Sequence, residues 1–241
     1  MIAIILAAGK GSRLLDITNS TPKSLLPLKD NYTILDYNID MLYSLGIKTI
    51  KIVTGFQSWK IEKHIENKDI QIIYNPFWNS CNVLGSLYIA LPYIEEDFIF
   101  LHADTLLEKK GWLKLINHSS KNVLQYKKKE CGEEEMKIRL DAHNNLIEIS
   151  KHIPHKEATG EFIGIAKFSK EFRYYCEKIA KKLFQSGELQ FYMEDVISKG
   201  IVDFQKFDML DIENAKFIEV DFQKDYDLAK IEFADTVLKK K

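Results

Sequence analysis

Ile2-Ala3-Ile4-Ile5-Leu6-Ala7-Ala8-Gly9-Lys10-Gly11-Ser12-Arg13-Leu14 opens the chain, and Pro22-Lys23-Ser24-Leu25-Leu26-Pro27-Leu28 follows shortly after. The apolar run at the start, rich in Ile, predicts a buried strand that ends in a glycine loop. Glycine lets backbone N–H groups approach an anion closely, and Arg13 and Lys23 add positive charge beside that loop. The two stretches therefore predict a polyphosphate-binding loop served by two cations.

Two better-known phosphate-binding motifs do not fit this loop. The dinucleotide fingerprint requires a third glycine where Leu14 stands, and the P-loop requires Gly-Lys followed by Ser or Thr, whereas Gly11 follows Lys10 here. A strand that simply ends in a glycine turn is the alternative, and for a lone Gly-x-Gly it would be favoured.

Composition sets limits on the partners of the chain. With 241 residues and 46% hydrophobic content, the sequence predicts a single domain, 1–241, with an ample core. The 34 basic and 35 acidic residues give a net charge of −1, which argues against nucleic acid or an anionic membrane as a partner. Any cations at a phosphate site must therefore be local.

The cysteines and the apolar start of the chain suggest a cytoplasmic protein. Cys81, Cys131 and Cys176 are scattered and odd in number, which argues against a zinc site or a disulfide framework. The first apolar run lacks the basic region that precedes a signal-peptide core, so we interpret it as a strand. No apolar run approaches the roughly 20 residues that span a bilayer.

Strand and helix patterns alternate along the first part of the chain. Helices are predicted at 33–45, 58–66 and 82–93, and strands at 49–54 and 70–74. This alternation predicts an α/β fold with a doubly wound, mostly parallel sheet, which binds its ligands at the carboxyl ends of the strands. From Val123 the pattern changes to period two, which predicts an antiparallel flap over residues 123–168, and a last helix is expected to reach Leu238.

Asp104 lies at the carboxyl end of the stretch 97–105, which is predicted to form an apolar strand. A carboxylate delivered to the ligand edge of the sheet is costly to bury without a partner, and a metal ion is a natural one. The alternative is that Asp104 caps a helical segment at 106–115. His102 is expected to be a packed neighbour rather than a ligand.

Leu6-Ala7-Ala8-Gly9-x-Gly11-x-Arg13-Leu14 and Pro22-Lys23-x-Leu25-Leu26-Pro27 together resemble the signature of the nucleotidylyltransferases, which join an NTP to a phosphorylated small molecule. The resemblance implies a nucleotide-diphospho-sugar transferase fold, GT-A-like, with a mixed sheet. It also implies nucleotide-binding roles for twelve positions: Leu6, Ala7, Ala8, Gly9, Gly11, Ser12, Arg13, Lys23, Thr54, Asn82, Gly85 and Ser86.

Two later patches narrow the resemblance to one branch of that family. Gly160–Ala166 and Gln190–Asp195 are similar to segments of the single-domain cytidylyltransferases that act on phosphocholine, phosphoglutamine and similar head groups, the last in capsular phosphoramidate biosynthesis. CTP as the donor is implied by that resemblance. The family also implies a second metal carboxylate at Asp221, and Glu194 is its rival.

A phosphate monoester already carries a nucleophilic anion at neutral pH, because its second pKa is about 6. The expected chemistry is therefore charge neutralisation and alignment for in-line displacement of pyrophosphate. We assign Arg13 to the β/γ-phosphates and Lys23 to the α-phosphate as the catalytic cations. Asp104 with Asp221 or Glu194 is expected to hold Mg²⁺, with Mn²⁺ as a substitute.

An amino-acid phosphate such as L-glutamine phosphate is the expected acceptor. A quaternary ammonium is best held by aromatic faces, but Met193 stands where the family has Trp, so a choline cage looks incomplete. The residues expected at the acceptor are Arg139, Glu161, Tyr192, Glu194 and Asp195. Phosphocholine or a sugar 1-phosphate as the acceptor, and a catalytically silent NTP-binding subunit, stay open as alternatives, and the oligomeric state is undetermined.

Overall fold

Alternating apolar residues bury both faces of strand β1, Ile2–Ala7, at the centre of the sheet. Ala3, Ile5 and Ala7 pack into the hydrophobic core on one face, while Ile2 and Ile4 pack into the core on the other. A strand that is buried on both sides needs helices on both sides, which is the doubly wound arrangement that the sequence predicts. The structure, a computed structural model, describes residues 1–14, 18–203 and 205–234.

Strands and helices alternate in the first half of the described chain. The elements there are β1, β2 (Pro27–Lys29), β3 (Tyr32–Thr33), α1 (Ile34–Ser44), β4 (Ile50–Thr54), α2 (Ser58–His64), β5 (Gln71–Tyr74), α3 (Val83–Ala90), β6 (Phe98–His102), β7 (Thr105–Leu107) and α4 (Lys109–Ile116). The elements that follow are β8 (Val123–Lys127), β9 (Lys137–Leu140), β10 (Leu146–Ser150), β11 (Gly160–Phe168), α5 (Lys170–Phe184), α6 (Met193–Val202), β12 (Asp208–Asp211), β13 (Phe217–Glu219) and α7 (Gln223–Phe233). The last residues of the helix predicted to reach Leu238 lie outside the described residues.

In the part of the chain that the structure describes, the main sheet has nine strands and a parallel centre. Its order is β10-β9-β11-β6-β1-β4-β5, with β8 pairing β11 and β12. β1 pairs in parallel with β4 and β6, with Ala7 opposite Thr54 and Leu6 opposite His102. The carboxyl ends of these three strands therefore share one edge, and that edge carries the glycine loop and Asp104.

The strands predicted within 123–168 are present and antiparallel, and they extend the main sheet beyond β6. β11 joins β6 on one side and β8 and β9 on the other. The turn that connects β8 to β9, residues 128–136, reaches back toward the glycine loop; we call it the hairpin tip. Among the described residues, no helix combines the length and the apolar character that crossing a bilayer requires.

The alternative that Asp104 caps a helix is wrong, because the residues that follow it form a strand of a separate two-stranded sheet. Thr105–Leu107 is strand β7, not the start of a helix, and α4 begins only at Lys109. β7 pairs antiparallel with β13, with Thr105 opposite Glu219. Just beyond this pairing the Val220 N–H donates to the Asp104 carbonyl at 3.1 Å, which brings the ends of two distant segments together.

Candidate active site

Lys23 lies between two carboxylates at the ligand edge of the sheet. Its Nζ donates to Asp104 Oδ2 and to Asp221 Oδ1, each at 2.8 Å. The side chain of Lys23 is only 11% exposed, and those of Asp104 and Asp221 are 24% and 23% exposed. Three residues far apart in the sequence, all three expected at the site, thus form one charged cluster.

Charge pairing sets the ionisation of this cluster. Burial alone would lower the pKa of Lys23, but Asp104 and Asp221 outweigh it and raise that pKa above its ordinary value. Burial likewise disfavours the charged form of Asp104, yet the Lys23 ammonium holds the pKa of that carboxyl below its usual range. Lys23 and Asp104 are therefore a charged pair at neutral pH.

Arg13 extends the cluster toward the hairpin tip. Its Nη1 donates to Asp221 Oδ2 at 2.8 Å and its Nη2 to Glu134 Oε2 at 2.6 Å. The Arg13 side chain is 38% exposed, and its guanidinium carbon lies 5.9 Å from the centre of the Phe222 ring. Glu134 was not expected at the site, since only the long-range packing of the hairpin tip brings it there.

The glycine loop has the open backbone that the sequence predicts. Gly11 has a φ of +68°, a left-handed conformation that favours glycine, and a Cβ at this position would lie 3.3 Å from the Lys23 side chain. No atom of the described residues lies within 4 Å of the position that a Cβ on Gly9 would take. The loop therefore leaves room beside Lys23 for an anionic ligand.

Three side chains could offer ligand atoms to one metal ion. Atoms of His102, Asp104 and Glu219 lie within 4.8 Å of one another, and this is the group of that kind found among the described residues. Burial, and then repulsion from Asp104 and Asp221, raise the pKa of Glu219 well above its ordinary value. A divalent cation would offset that repulsion, so the carboxylate set fits Mg²⁺ or Mn²⁺.

Two residues of this group, Glu219 and His102, were not among the predicted metal ligands. Glu219 precedes Asp221 by two residues, a strand spacing that places both side chains on one face, and this pattern could have identified it from the sequence. His102 packs on the Phe100 ring at 5.1 Å, as expected of a packed neighbour, yet its Nε2 is buried without a hydrogen-bond partner among the described residues. Glu194 and Asp221, the two candidates for the second ligand, both fall outside the group, and Asp221 instead accepts from Lys23 and Arg13.

Most of the expected nucleotide-binding residues line one or both of two adjoining cavities. The larger, about 290 Å³, is lined by Leu6, Ala8, Gly9, Arg13, Asn82 and Ser86, among others. The smaller, about 200 Å³, is lined by Leu6, Ala7, Gly9, Gly11, Lys23, Ser24, Ala103 and Asp104. We call them the main cavity and the loop cavity. Asp104 lines both, so the two cavities meet at the charged cluster.

Three of the expected nucleotide-binding residues line neither cavity. Thr54 is fully buried, and its hydroxyl shares a 2.7 Å hydrogen bond with Ser58. Gly85 lies within α3, where a Cβ would come within 2.5 Å of Cys81 Sγ, so it supports the packing beneath the cavity. Ser12 is exposed at the start of a short 3-10 turn.

Tyr192 and Glu194 line the main cavity, as expected of acceptor residues. Glu194 is 4% exposed, and its Oε2 has no hydrogen-bond partner among the described residues. Burial raises the pKa of this carboxyl to about 7. Asp195 instead accepts from the Tyr192 N–H at 2.7 Å, so it caps α6 and does not face the cavity.

Glu161 and Arg139 lie away from the main cavity. Glu161 pairs with Lys129 at 3.0 Å and faces a neighbouring cavity of about 740 Å³. The Arg139 guanidinium contacts Glu148 of β10 at 2.5 Å and Glu157 of a short 3-10 turn at 3.3 Å. The expectation that Arg139 anchors an acceptor carboxylate is therefore not supported by its position, because two acidic side chains already hold it.

Trp78 and Lys151 line the main cavity although the sequence did not single them out as site residues. Trp78 packs against Phe56 with ring centres 5.5 Å apart. A Cβ on Gly55 would come within 2.4 Å of Trp78, so this glycine is what allows the indole to approach the loop. The sequence pair Gly55-Phe56, which follows β4 directly, is the feature from which this side of the cavity could have been predicted.

Comparisons with known proteins agree with this geometry. The nucleotidyl transferase family model matches residues 2–129, just over half of the 241 residues. The chain is 28% identical over 239 residues to the CTP:phosphoglutamine cytidylyltransferase of Campylobacter jejuni, covering 92% of this chain and 93% of that protein. It is 23% identical over 227 residues to the choline-phosphate cytidylyltransferase of Streptococcus pneumoniae, covering 94% of this chain and 95% of that one.

A solved structure shares the fold. The inositol-1-phosphate CTP transferase from T. maritima superposes with a TM-score of 0.78 at 22% identity, and the match covers 94% of each chain. The predicted fold class is thereby confirmed.

Proposed function

This chain belongs to the nucleotidyl transferase family, and we propose that it transfers CMP from CTP to a small phosphorylated acceptor, with L-glutamine phosphate as the preferred one and pyrophosphate as the second product. One observation carries the proposal. Lys23, Asp104 and Asp221 converge at the edge of the sheet beside the open glycine loop, with Arg13 next to them. Fixed cations beside a backbone-only loop are what a polyphosphate requires.

The reaction needs alignment more than it needs acid or base. The acceptor phosphate attacks the α-phosphorus, the bond from that phosphorus to the bridging oxygen breaks, and pyrophosphate leaves with the electron pair. No proton has to move, because the attacking oxygen is already anionic. Lys23 neutralises charge at the α-phosphate and the bridging oxygen, and Arg13 holds the outer phosphates.

Asp104 and Asp221, together with Glu219, are the carboxylates proposed to hold Mg²⁺ or Mn²⁺. The bound cation would supply charge neutralisation for the triphosphate. The residues themselves hold the cluster together, because the contact between Val220 and the Asp104 carbonyl fixes the two segments that carry the carboxylates. Glu194, the rival ligand, is better suited to the acceptor, because it is buried at the main cavity together with Tyr192, whereas Asp221 is linked to Asp104 through Lys23.

The acceptor is proposed to occupy the main cavity. L-glutamine phosphate as the acceptor rests on the relative from Campylobacter jejuni, and Glu194 supports it because a buried, unpartnered carboxylate suits an ammonium group. Tyr192 forms the adjacent wall. Phosphocholine is the second candidate, favoured by the relative from Streptococcus pneumoniae.

Pyrophosphate release across CTP, UTP, ATP and GTP, each with L-glutamine phosphate, phosphocholine and glucose 1-phosphate, tests the proposal. We expect kcat/KM to be highest for CTP with L-glutamine phosphate and the activity to be lost with EDTA. Preference for UTP with glucose 1-phosphate would replace the proposal with a sugar-nucleotide activity. Absence of pyrophosphate release with every pair would indicate a silent nucleotide-binding protein.

A further inference from the structure

The Lys151 ammonium group lies over the ring of Tyr192 inside the main cavity. Its Nζ lies 5.7 Å from the centre of the Tyr192 ring, within the range of a cation–π contact. Both residues line the cavity, on the side that carries Glu194. The Tyr192 face, one of the aromatic surfaces that a quaternary ammonium could use in this cavity, is therefore already taken by a cation of the protein.

The position of Lys151 is fixed by a buried neighbour. Lys151 follows directly after β10, and its backbone carbonyl accepts from Lys137 Nζ at 2.7 Å. Lys137 is only 1% exposed, so this contact lies inside the fold. The turn that presents the Lys151 side chain to the cavity is thus tied to the sheet.

Glu194 places an acidic group in the same cavity as the basic group of Lys151. Its Oε2 is buried and has no hydrogen-bond partner among the described residues, Lys151 included. Lys151 is nevertheless close enough to lower the pKa of Glu194, against the stronger effect of burial. A lysine and a carboxyl group therefore line one cavity with no hydrogen bond between them, which leaves both available to a ligand.

We infer that Lys151 determines acceptor specificity: it selects a phosphorylated acceptor that carries a carboxylate beside its amino group, and it rejects one whose head group is a quaternary ammonium. This inference rests on the proposed function. An amino acid phosphorylated on its side-chain amide keeps a free α-amino group for Glu194 and a free α-carboxylate for Lys151. Phosphocholine has no carboxylate, and its trimethylammonium group would meet the Lys151 charge at the Tyr192 face.

Acceptor kinetics of Lys151→Met test the inference. The probes are L-glutamine phosphate, its analogue without the α-carboxylate, and phosphocholine, each with saturating CTP. A lost hydrogen bond to a charged group is worth about 1.5–3 kcal/mol, so kcat/KM for L-glutamine phosphate should fall about 10-fold or more. The loss should be much smaller for the analogue without the carboxylate, and kcat/KM for phosphocholine should rise.

Two further variants serve as controls. Lys151→Arg keeps the positive charge and should retain the preference for the carboxylate. Lys156→Met removes an exposed lysine from the turn that follows and should leave all three acceptors unaffected. Equal losses for all three acceptors in Lys151→Met, or no loss for L-glutamine phosphate, would overturn the inference while leaving CMP transfer intact. Failure of the unaltered protein to transfer CMP to any acceptor would instead overturn the proposed function, and the inference with it.

Discussion

Lys23 neutralises two carboxylates that meet at the edge of the sheet, and it therefore acts on both folding and turnover. Asp104 and Asp221 each lie 2.8 Å from its ammonium group. A divalent cation bound by the same carboxylates would compete with Lys23 for them. Stability and activity should consequently respond differently when Lys23 is removed and metal is added.

Lys23→Met should lower kcat on the order of 10²-fold or more, because it removes a preorganised charge from the reaction centre. It should also lower the free energy of unfolding by about 1–3 kcal/mol, less than for a fully buried pair because the two carboxylates are partly exposed. Mg²⁺ should raise the Tm of the variant more than that of the unaltered protein, without restoring kcat. Lys10→Met, which removes an exposed lysine of the neighbouring glycine loop, is the matched control. Equal Tm shifts with Mg²⁺ would contradict the competition.

Glu134 forms an ion pair with Arg13, whose guanidinium group is proposed to bind the outer phosphates of CTP. Its carboxylate lies 2.6 Å from Arg13, and both side chains are partly exposed. Glu134→Gln should lower the KM for CTP by about twofold to fivefold, the range that an exposed ion pair supports. Glu133→Gln, the adjacent exposed residue of the hairpin tip, should leave that KM unchanged. A higher KM in Glu134→Gln would mean that Glu134 assists binding instead of competing with the phosphates.

Helix α6 begins beside the cavity and buries a carboxyl group there. Burial raises the pKa of Glu194 from 4.5 to about 7, with Asp195 adding to the effect and Lys151 opposing it. Between these two pH values the folded chain retains a proton that the unfolded chain has released, so stability falls as pH rises through that window. The fall is on the order of 3 kcal/mol.

Glu194→Gln removes this titration. Urea unfolding at pH 4.5 and at pH 7.5 should show that the variant gains stability relative to the unaltered protein as pH rises. Glu66→Gln, an exposed carboxylate that follows α2, should show no such gain. A stability difference that stays constant between the two pH values would show that Glu194 ionises normally.

Strand β11 contains a glycine that makes room for His102. Gly164 has a φ of +70°, and a Cβ there would come within 2.6 Å of His102 Nδ1. Gly187 has a similar φ of +83°, but no atom of the described part of the chain lies within 4 Å of the position that a Cβ there would take. Gly164→Ala should therefore cost about 1–3 kcal/mol more in unfolding free energy than Gly187→Ala, which isolates the clash from the backbone strain. Equal costs would show that His102 moves freely.

Local patterns were sufficient to predict the elements but not the contacts between distant ones. The Thr33 hydroxyl caps the start of α1, the helix predicted at 33–45. The Asn82 side chain caps α3 and accepts from the Val83 N–H at 2.9 Å. Arg139 shows the limit of such patterns. Its partner Glu148 depends on an irregular register between β9 and β10, which no local pattern specifies.

The chain assembles its site from segments that span almost the whole sequence. The glycine loop follows β1, Asp104 follows β6, and Asp221 follows β13, and the first two share an edge because β1 and β6 are parallel neighbours. That part was predictable from the alternation of helices and strands. Asp221 was expected at the site only through the family resemblance, because the pairing of β13 with β7 is a long-range contact that composition and periodicity do not encode.

The chain is proposed to transfer the α-phosphoryl group of CTP, with its nucleoside, to a phosphorylated acceptor. Parallel reactions with CTP labelled at the α- or the γ-phosphate, with L-glutamine phosphate as the acceptor, distinguish this reaction from transfer of the γ-phosphoryl group. We expect the α-label in the acceptor product and the γ-label in pyrophosphate, and both transfers should fall on the order of 10²-fold in Lys23→Met. Transfer of the γ-label to the acceptor, or its release as inorganic phosphate, would rule out nucleotidyl transfer.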